Sequence, residues 1–417
     1  MDGFYAASFA KSFKAQGMRH YRLAYAEWSC AEYLVIVRCI LMGEINQGRY
    51  LTALSKQLME YYSSSPIYLS NYGHHAIEVA LNIFHRSRSE RNQVIIPAYI
   101  CPSVVQAIQT CGLIAVSVDV DDDLNLNPNA MLAAFGSRTL AVIAPHMYGC
   151  PAKIEQIEQI CKDAQIFLID DAAQVMGVRS NNGQLLGTFG DVGILSFAQS
   201  KTLVTGIRGS GGALIVNNMA HNEAAKLMME ALPPSYKRMS ALLDFLWNYH
   251  WSAYTGNSSY YLGRLLGLFG WRSEKSNHYS MISNLEAGIA LIQFSKLLDI
   301  NRQKIRVAEL YYQNLKKSEV IGFPQYSEGR YLARIMLKLP EMVDLTVMKE
   351  KLKKKGVESR LGYKSFFSQN TKNAEQLSLR MLGVPCGASM TPVEIEEICK
   401  ILHLTLSEIK LHSERNN

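Results

Sequence analysis

No stretch of this chain reaches the ~18 uncharged apolar residues that a membrane-spanning helix needs. The best run, Tyr33 to Met42, is broken by Arg38 and is too short. Charge of either sign is sparse, with 19% Asp, Glu, Lys and Arg against 48% apolar residues. That balance is ordinary for a globular protein, and it excludes a collagen-like, a disordered or a small disulfide-stapled chain. None of the eight cysteines pairs with another at CxxC spacing, and several sit inside apolar runs. They read as reduced thiols of a cytoplasmic protein and not as a disulfide frame or a zinc site, so no metal is expected. The basic and aromatic opening, MDGFYAASFAKSFKAQGMRHYR, lacks the apolar centre of a secretory signal. It reads as an amphipathic surface helix, with a membrane-surface anchor as the alternative.

The net charge of +7 comes from 43 Lys and Arg against 36 Asp and Glu. These basic residues are dispersed, and the densest run, Lys351 to Lys355, reads as a solvated helix end. Nucleic acid is therefore not an expected partner. The surplus still favours a phosphate-bearing substrate by mild steering.

A chain of 417 residues has room for two or three domains. From Pro66 onward short apolar strands alternate with helical stretches. PIYLS, VIIP, Ala115–Val120, Leu140–Ala144, IFLID and VGILSF are the expected strands. His74–Phe84 and Ser103–Thr110 are the first expected helices between them. That alternation predicts an α/β fold with a mostly parallel central sheet flanked by helices. Ligands of such sheets bind beyond the carboxyl ends of the strands. After residue 217 the pattern dissolves into an aromatic stretch, 233–281. A long helix is expected over Leu285–Leu315, then a strand in ARIMLKL, a helix over Asp344–Lys355 and a strand over Val357–Arg360. A last helix is expected to open at Thr391, with Glu394 completing a capping box. The division this implies is an N-terminal extension, 1–40, then a large domain, 41–281, carrying the aromatic insertion. A connecting helix and a smaller C-terminal α/β domain make up 282–417.

The chemistry concentrates in LIDDAAQVMG and SFAQSKTLVTGIRGSGG. Asp171 and Gln174 follow one apolar strand, and two adjacent carboxylates there need a reason, because burying unpaired charge is costly. Lys201 follows another strand and precedes the glycines of Gly206 to Gly212. Pyridoxal phosphate requires such a set: a lysine for its aldehyde, a carboxylate for its pyridine nitrogen, and donors at a helix start for its phosphate. Gly73, in SNYGHHAIEVAL, opens a helix that can supply the donors. Each signal alone has a bland reading, whether a solvated lysine, a turn carboxylate or an ordinary helix start. Their order along the chain is what points to the cofactor.

SNYGHHAIEVAL, VIIPAYICPSVVQAI, VDVDDDLNLNPNAM, APHMYGCPA, LIDDAAQ, GDVGILSFAQSK and AEQLSLRMLGVPCGASMTPVEIEEI together resemble the DegT/StrS family of sugar aminotransferases. The resemblance runs from about Leu41 to Leu404, strong over 66–216, moderate after 282 and poor over 217–281. It implies an aspartate-aminotransferase fold and a cytoplasmic homodimer. It also implies transfer of an amino group, usually from glutamate, to a keto group of a nucleotide-linked sugar in polysaccharide biosynthesis. By the same resemblance Lys201 is the residue that bonds the cofactor and Asp171 the pyridine partner. Gln174 lies near the ring hydroxyl, and Ser196, Gly73 and His74 lie at the phosphate.

Several positions depart from the family pattern. His74 replaces a threonine, and Cys101 stands where the family has an aromatic ring, so Tyr99 is the choice for the stacking residue. The glycine segment is longer than usual and carries Arg208, which would suit a substrate phosphate or carboxylate if it is not a plain surface residue. A residue that reaches into the neighbouring subunit's site falls on Asn277, His278 or Tyr279. His146 and Tyr148 match a family motif without an evident chemical role. Other pyridoxal phosphate chemistry on a sugar, or a non-catalytic paralogue, are the alternatives. The family's dehydratases carry histidine in place of the lysine, and Lys201 argues against that branch.

Overall fold

A computed structural model of the chain describes residues 20–23, 25–63, 65–199, 201–206, 209–251, 279–363, 366 and 370–416. Two helices come first, α1 (Cys30–Leu41) and α2 (Arg49–Tyr61). The central sheet then builds from β1 (Ile67–Ser70), α3 (Gly73–Ser87), β2 (Gln93–Pro97), α4 (Pro102–Thr110), β3 (Ile114–Val118) and α5 (Pro128–Ala133). It continues through β4 (Thr139–Pro145), α6 (Ile154–Asp163), β5 (Phe167–Asp171), β6 (Val192–Ser196) and β7 (Gly212–Val216). Helices α7 (Asn222–Glu230) and α8 (Arg238–Phe245) follow, and α8 runs into a π-helical turn, Leu246–His250.

The seven strands lie in the order β1-β7-β6-β5-β4-β2-β3, and only β7 runs against its neighbours. The carboxyl ends of β2, β4, β5 and β6 therefore share one edge, and the first residue of β7, Gly212, lies at that edge too, opposite Ser196. Alternation of side chains divides the sheet's two faces. Ile95, Val142, Leu168, Leu195 and Ile215 pack on one side, and Val94, Ile143, Ile169, Ile194 and Leu214 on the other. Helices α3 and α4 cover the second face. The first face is covered with help from α1, α2 and the later helix α9 (Asn284–Ser295). Gly288 allows these three to close up, since a Cβ there would lie 2.6 Å from Val35 and 2.8 Å from Tyr50.

The C-terminal part comprises α10 (Leu297–Leu315), β8 (Ile335–Lys338), α11 (Leu345–Lys354), β9 (Arg360–Leu361), α12 (Lys372–Ser378), β10 (Met381–Val384) and α13 (Pro392–Asn416). Its strands form a separate antiparallel sheet, β8-β10-β9. Thr391 and Glu394 make the expected capping box at the start of α13. Two expectations change in detail. The long helix is split at Lys296, where the backbone opens to φ −100°, ψ 5°. The strand expected over Val357–Arg360 reduces to Arg360–Leu361, because Val357 pairs instead with Tyr21.

Tyr21 belongs to a strap that ties the start of the described chain to this small sheet. Its N–H donates to the Gly356 carbonyl at 2.7 Å, and Glu358 N–H returns a bond to Tyr21 at 2.9 Å. The Glu358 carboxylate accepts from Leu23 N–H at 3.0 Å and pairs with Arg22 and His20. Burial opposes its charge, but the His20, Leu23 and Arg22 contacts prevail and hold the carboxyl at about 2. A depressed carboxyl contributes stability that is complete above its unfolded value and lost as pH falls through the folded one. We expect an acid melt to lose stability progressively from about pH 4.5 toward 2. Glu358→Gln should abolish that portion of the loss, and an unchanged acid limb in the variant would remove the strap's ionic contribution.

Candidate active site

The site residues expected in the large domain gather at or just past the carboxyl ends of β1, β2, β4, β5 and β6. The two carboxylates ending β5 diverge, because successive strand residues face opposite ways. Asp170 is fully buried and fully bonded. One of its oxygens meets His146 Nε2 at 2.7 Å, and the other accepts from Gly187 N–H at 2.6 Å and Phe189 N–H at 3.1 Å. His146 Nδ1 accepts from Ala152 N–H at 2.9 Å. That leaves the imidazole neutral, with its proton on Nε2 facing Asp170. The residue thus fastens the turn after β4 to the end of β5, and its backbone N–H donates to the Asp171 carbonyl at 3.3 Å.

Asp171 faces the lysine. Burial raises its pKa, while the charge of Lys201 and the Ala173 N–H, 3.1 Å from Oδ1, pull it back. Burial lowers the Lys201 amine, and Asp171 opposes that fall. Arg334 and Arg360, approaching from the small sheet, lower it further. Lys201 sits in a turn whose backbone N–H donates to Ala198 at 3.1 Å. The neighbouring Thr202 hydroxyl bonds Tyr331 at 2.9 Å, so the turn is anchored to the C-terminal part. Gln174, three residues beyond Asp171, is buried with its amide 3.8 Å from the Met147 sulfur.

Ser196, Gly73 and Gly212 form a close-packed corner at the start of α3. A Cβ on Gly212 would lie 2.4 Å from Gly73 N, and one on Gly73 would lie 3.1 Å from the Leu195 carbonyl and 3.6 Å from Ser196 Oγ. Only glycine fits at Gly212, and a side chain at Gly73 would be tight. The helix cap, Tyr72, makes no side-chain bond to the first N–H groups of α3. Uncapped helix N–H groups beside a serine hydroxyl suit a phosphate. This corner and the Asp171–Lys201 pair together fit pyridoxal phosphate.

His74 follows Gly73, its ring 4.6 Å from that of Tyr72, and burial keeps its pKa low. His75 stacks on Tyr279 at 4.2 Å, and burial lowers it to about 4. Tyr279 also donates to Glu78 at 2.5 Å, so it is engaged within its own chain. Asn277, His278 and Arg208 lie outside the described residues.

Tyr99 is fully enclosed, its hydroxyl 3.0 Å from that of Tyr148 and accepting from Tyr363 N–H at 3.1 Å. Cys101, the cap of α4, lies close enough to Lys201 for its thiol to bear on the amine.

The described part of the aromatic insertion packs on its own chain. Trp28 lies 5.2 Å from Phe245 and 5.1 Å from His250, and His250 Nε2 meets the Tyr33 hydroxyl at 2.8 Å. The Trp28 indole donates to the Val204 carbonyl at 2.7 Å, which links this cluster to the loop after Lys201. Arg238, also from the insertion, bonds both oxygens of Glu286 at 3.0 Å beside Gly209. Tyr254, Tyr260, Tyr261 and Trp271 lie outside the described residues.

Sequence reasoning missed Arg334, Arg360 and Tyr363, and it left His146 and Tyr148 without a role. A charged residue inside the apolar run ARIMLKL was the available signal for Arg334.

Asp170 and Asp171 should separate in stability measurements. Asp170→Asn removes an acceptor from a buried network and should cost about 1–3 kcal/mol in denaturant unfolding. Asp171→Asn relieves a buried charge and should cost less than about 1 kcal/mol. Equal losses would contradict the division of labour.

Comparison with known proteins agrees with this geometry. The GDP-perosamine synthase of Vibrio cholerae is 24% identical over 289 residues, 69% of this chain and 67% of that protein. A UDP-N-acetyl-3-dehydro-α-D-glucosamine 3-aminotransferase of Acidithiobacillus ferrooxidans is 37% identical over 125 residues, 30% of this chain and 33% of that protein. The first curated relatives are matched over 67%, 64% and 49% of their own lengths. Among solved structures, the Helicobacter pylori aminotransferase PseC superposes with a TM-score of 0.77 at 15% identity, over 94% of this chain and 100% of that one. The Escherichia coli GDP-4-keto-6-deoxy-D-mannose-3-dehydratase with bound hydrated PLP gives 0.73 at 19% identity, over 93% and 100%. A profile of the DegT/DnrJ/EryC1/StrS aminotransferase family matches residues 31–403. The chain belongs to the DegT/DnrJ/EryC1/StrS aminotransferase family, and its cofactor is pyridoxal phosphate.

Proposed function

We propose that this protein moves an amino group from an amino acid, with glutamate as donor, to the keto group of a nucleotide-linked sugar. The observation that carries the reading is the pairing of Lys201 with Asp171 beside the glycine–serine corner. The sugar relatives support the acceptor class. Pyridoxal phosphate, when bound, supplies an aldehyde that takes up an amine and a ring that accepts negative charge from the adjacent carbon.

The chain's residues divide the remaining work. Ser196 and the first N–H groups of α3, at Gly73 and His74, bind the phosphate. Asp171 holds a proton on the pyridine nitrogen. Gln174 would hold the ring hydroxyl, and Tyr99, its hydroxyl fixed to Tyr148, would border the ring. Lys201 would hold the aldehyde carbon, and its free amine would be the base that takes a proton from the donor's α-carbon. Burial lowers that amine's pKa, which favours the neutral base the transfer requires. The reading extends to a cytoplasmic homodimer with a large domain at 41–281 and a small one at 282–417.

Borohydride reduction of the cofactor-loaded protein, followed by peptide mass mapping, should leave the label on Lys201. Label on another lysine, or none, would end the assignment. In kinetics, Asp171→Asn should lower turnover by orders of magnitude while retaining cofactor; near-normal turnover would exclude its role at the ring nitrogen.

A further inference from the structure

Helix α1 turns its polarity the opposite way from an ordinary surface helix. Its sequence, CAEYLVIVRCIL, holds two charged residues, and one of them, Glu32, is fully buried. Ser29, Gln293 and Lys296 satisfy that carboxylate. Val35, Ile36 and Cys39 are buried with it, where α1 packs on α9. The outer face is apolar instead. Leu34 is 68% exposed, Val37 51%, Ile40 50%, Leu41 76% and the capping residue Met42 60%. A helix that is apolar on all sides is normally covered on all sides. These five side chains present on the order of 500 Å² of apolar surface, near the upper end of what a monomer leaves open and more than half of the ~800 Å² that each partner gives to a stable interface. The face is also held firmly. Ser29 and Glu32 make a capping box at its start, and the Asn284 amide donates to the Glu44 carbonyl just beyond its end at 2.7 Å.

The spacing of the outer residues bears on what covers them. Cys30, Leu34, Val37 and Leu41 are all exposed, and they recur at steps of four, three and four residues. That is the seam along which two helices pack side by side. The steps read the same in both directions. A second copy turned about a two-fold axis therefore lays Leu34 on the partner's Val37 and Cys30 on the partner's Leu41, each contact made twice. The antiparallel sense opposes the two helix dipoles favourably. It also separates the two Arg38 side chains, which a parallel pairing would bring to one level as like charges. A lipid surface is a poorer match. Helices that lie on lipid flank their apolar face with several Lys and Arg, whereas α1 has Arg38 alone, paired with Glu44 at 3.7 Å.

We propose that the outer face of α1 is a contact between two copies of this chain, with the helices antiparallel about the midpoint of Leu34 and Val37. The inference rests on the packing of α1 and not on the catalytic reading.

The test uses the full cofactor-loaded chain. Leu41→Cys places a thiol opposite Cys30 of the partner subunit. Within one chain the two positions are about 16 Å apart along the helix, too far to bond. Mild oxidation of this variant should give a disulfide-linked dimer on a non-reducing gel, and adding Cys30→Ser should remove it. No link in the variant, or equal linking of wild-type protein through Cys30 alone, would overturn the antiparallel seam. In sedimentation, wild-type protein should run as an assembly, and Leu34→Glu combined with Leu41→Glu should halve its mass. Both positions are exposed, so the double variant should keep the wild-type melting temperature. An unchanged mass would overturn the proposal and leave a homodimer through another face standing. Binding to vesicles of anionic phospholipid that the double variant loses without a change of mass would overturn it too, in favour of a lipid surface. Borohydride labelling of Lys201 is independent of all these outcomes, so its failure condemns the enzymatic reading alone.

Discussion

The site depends on the alternation of side chains at the end of β5. Strand geometry sends Asp170 and Asp171 to opposite sides of one backbone, into two different environments. Asp170 meets three donors and becomes part of the framework. Asp171 meets few and stays poised, with burial acting against its charge and Lys201 acting for it. Two carboxylates on one side would repel each other and leave one unpaired in the interior, which is expensive. The His146–Asp170 contact adds a second constraint, since it joins the turn after β4 to the end of β5 and so fixes where Asp171 points.

The same turn carries the coupling to the C-terminal part. Tyr148 lies two residues beyond His146 in a left-handed conformation, φ 55°, and its carbonyl receives the N–H groups ahead of β8. Thr202 and Tyr331 make a second link, directly beside Lys201. The segment leading into the small sheet is therefore held against the carboxyl-end edge of the large sheet at the turns after β4 and β6. On the far side, Trp28 and Arg238 brace the loop that follows the lysine. Lys201 is thus enclosed by segments distant in sequence, which is what a low amine pKa requires.

Much of the large sheet was legible because its strands are short apolar runs with polar residues at their ends. Asp171, Gln174 and Lys201 could be singled out by the strand-end rule before any contact was known, and Ser196 by the family resemblance. Strand β7 was hidden behind the glycines that precede it, and β10 starts only two residues after α12 ends. The break at Lys296 carries no proline or glycine to announce it. Arg334, Arg360 and Tyr363 were not legible as a cluster, because only the approach of the small sheet brings them to the lysine. Asp170 and His146 were visible as residues but not as partners, since 24 positions separate them in the chain.

In the proposed reaction Asp171 holds a proton at the cofactor's ring nitrogen while Asp170 does not. Nitrogen-15 NMR of the protein loaded with cofactor labelled at that nitrogen reads this directly. Wild-type protein should show a protonated shift, a folded Asp170→Asn variant the same shift, and Asp171→Asn a move to the neutral value. A protonated nitrogen that survives in Asp171→Asn would contradict it.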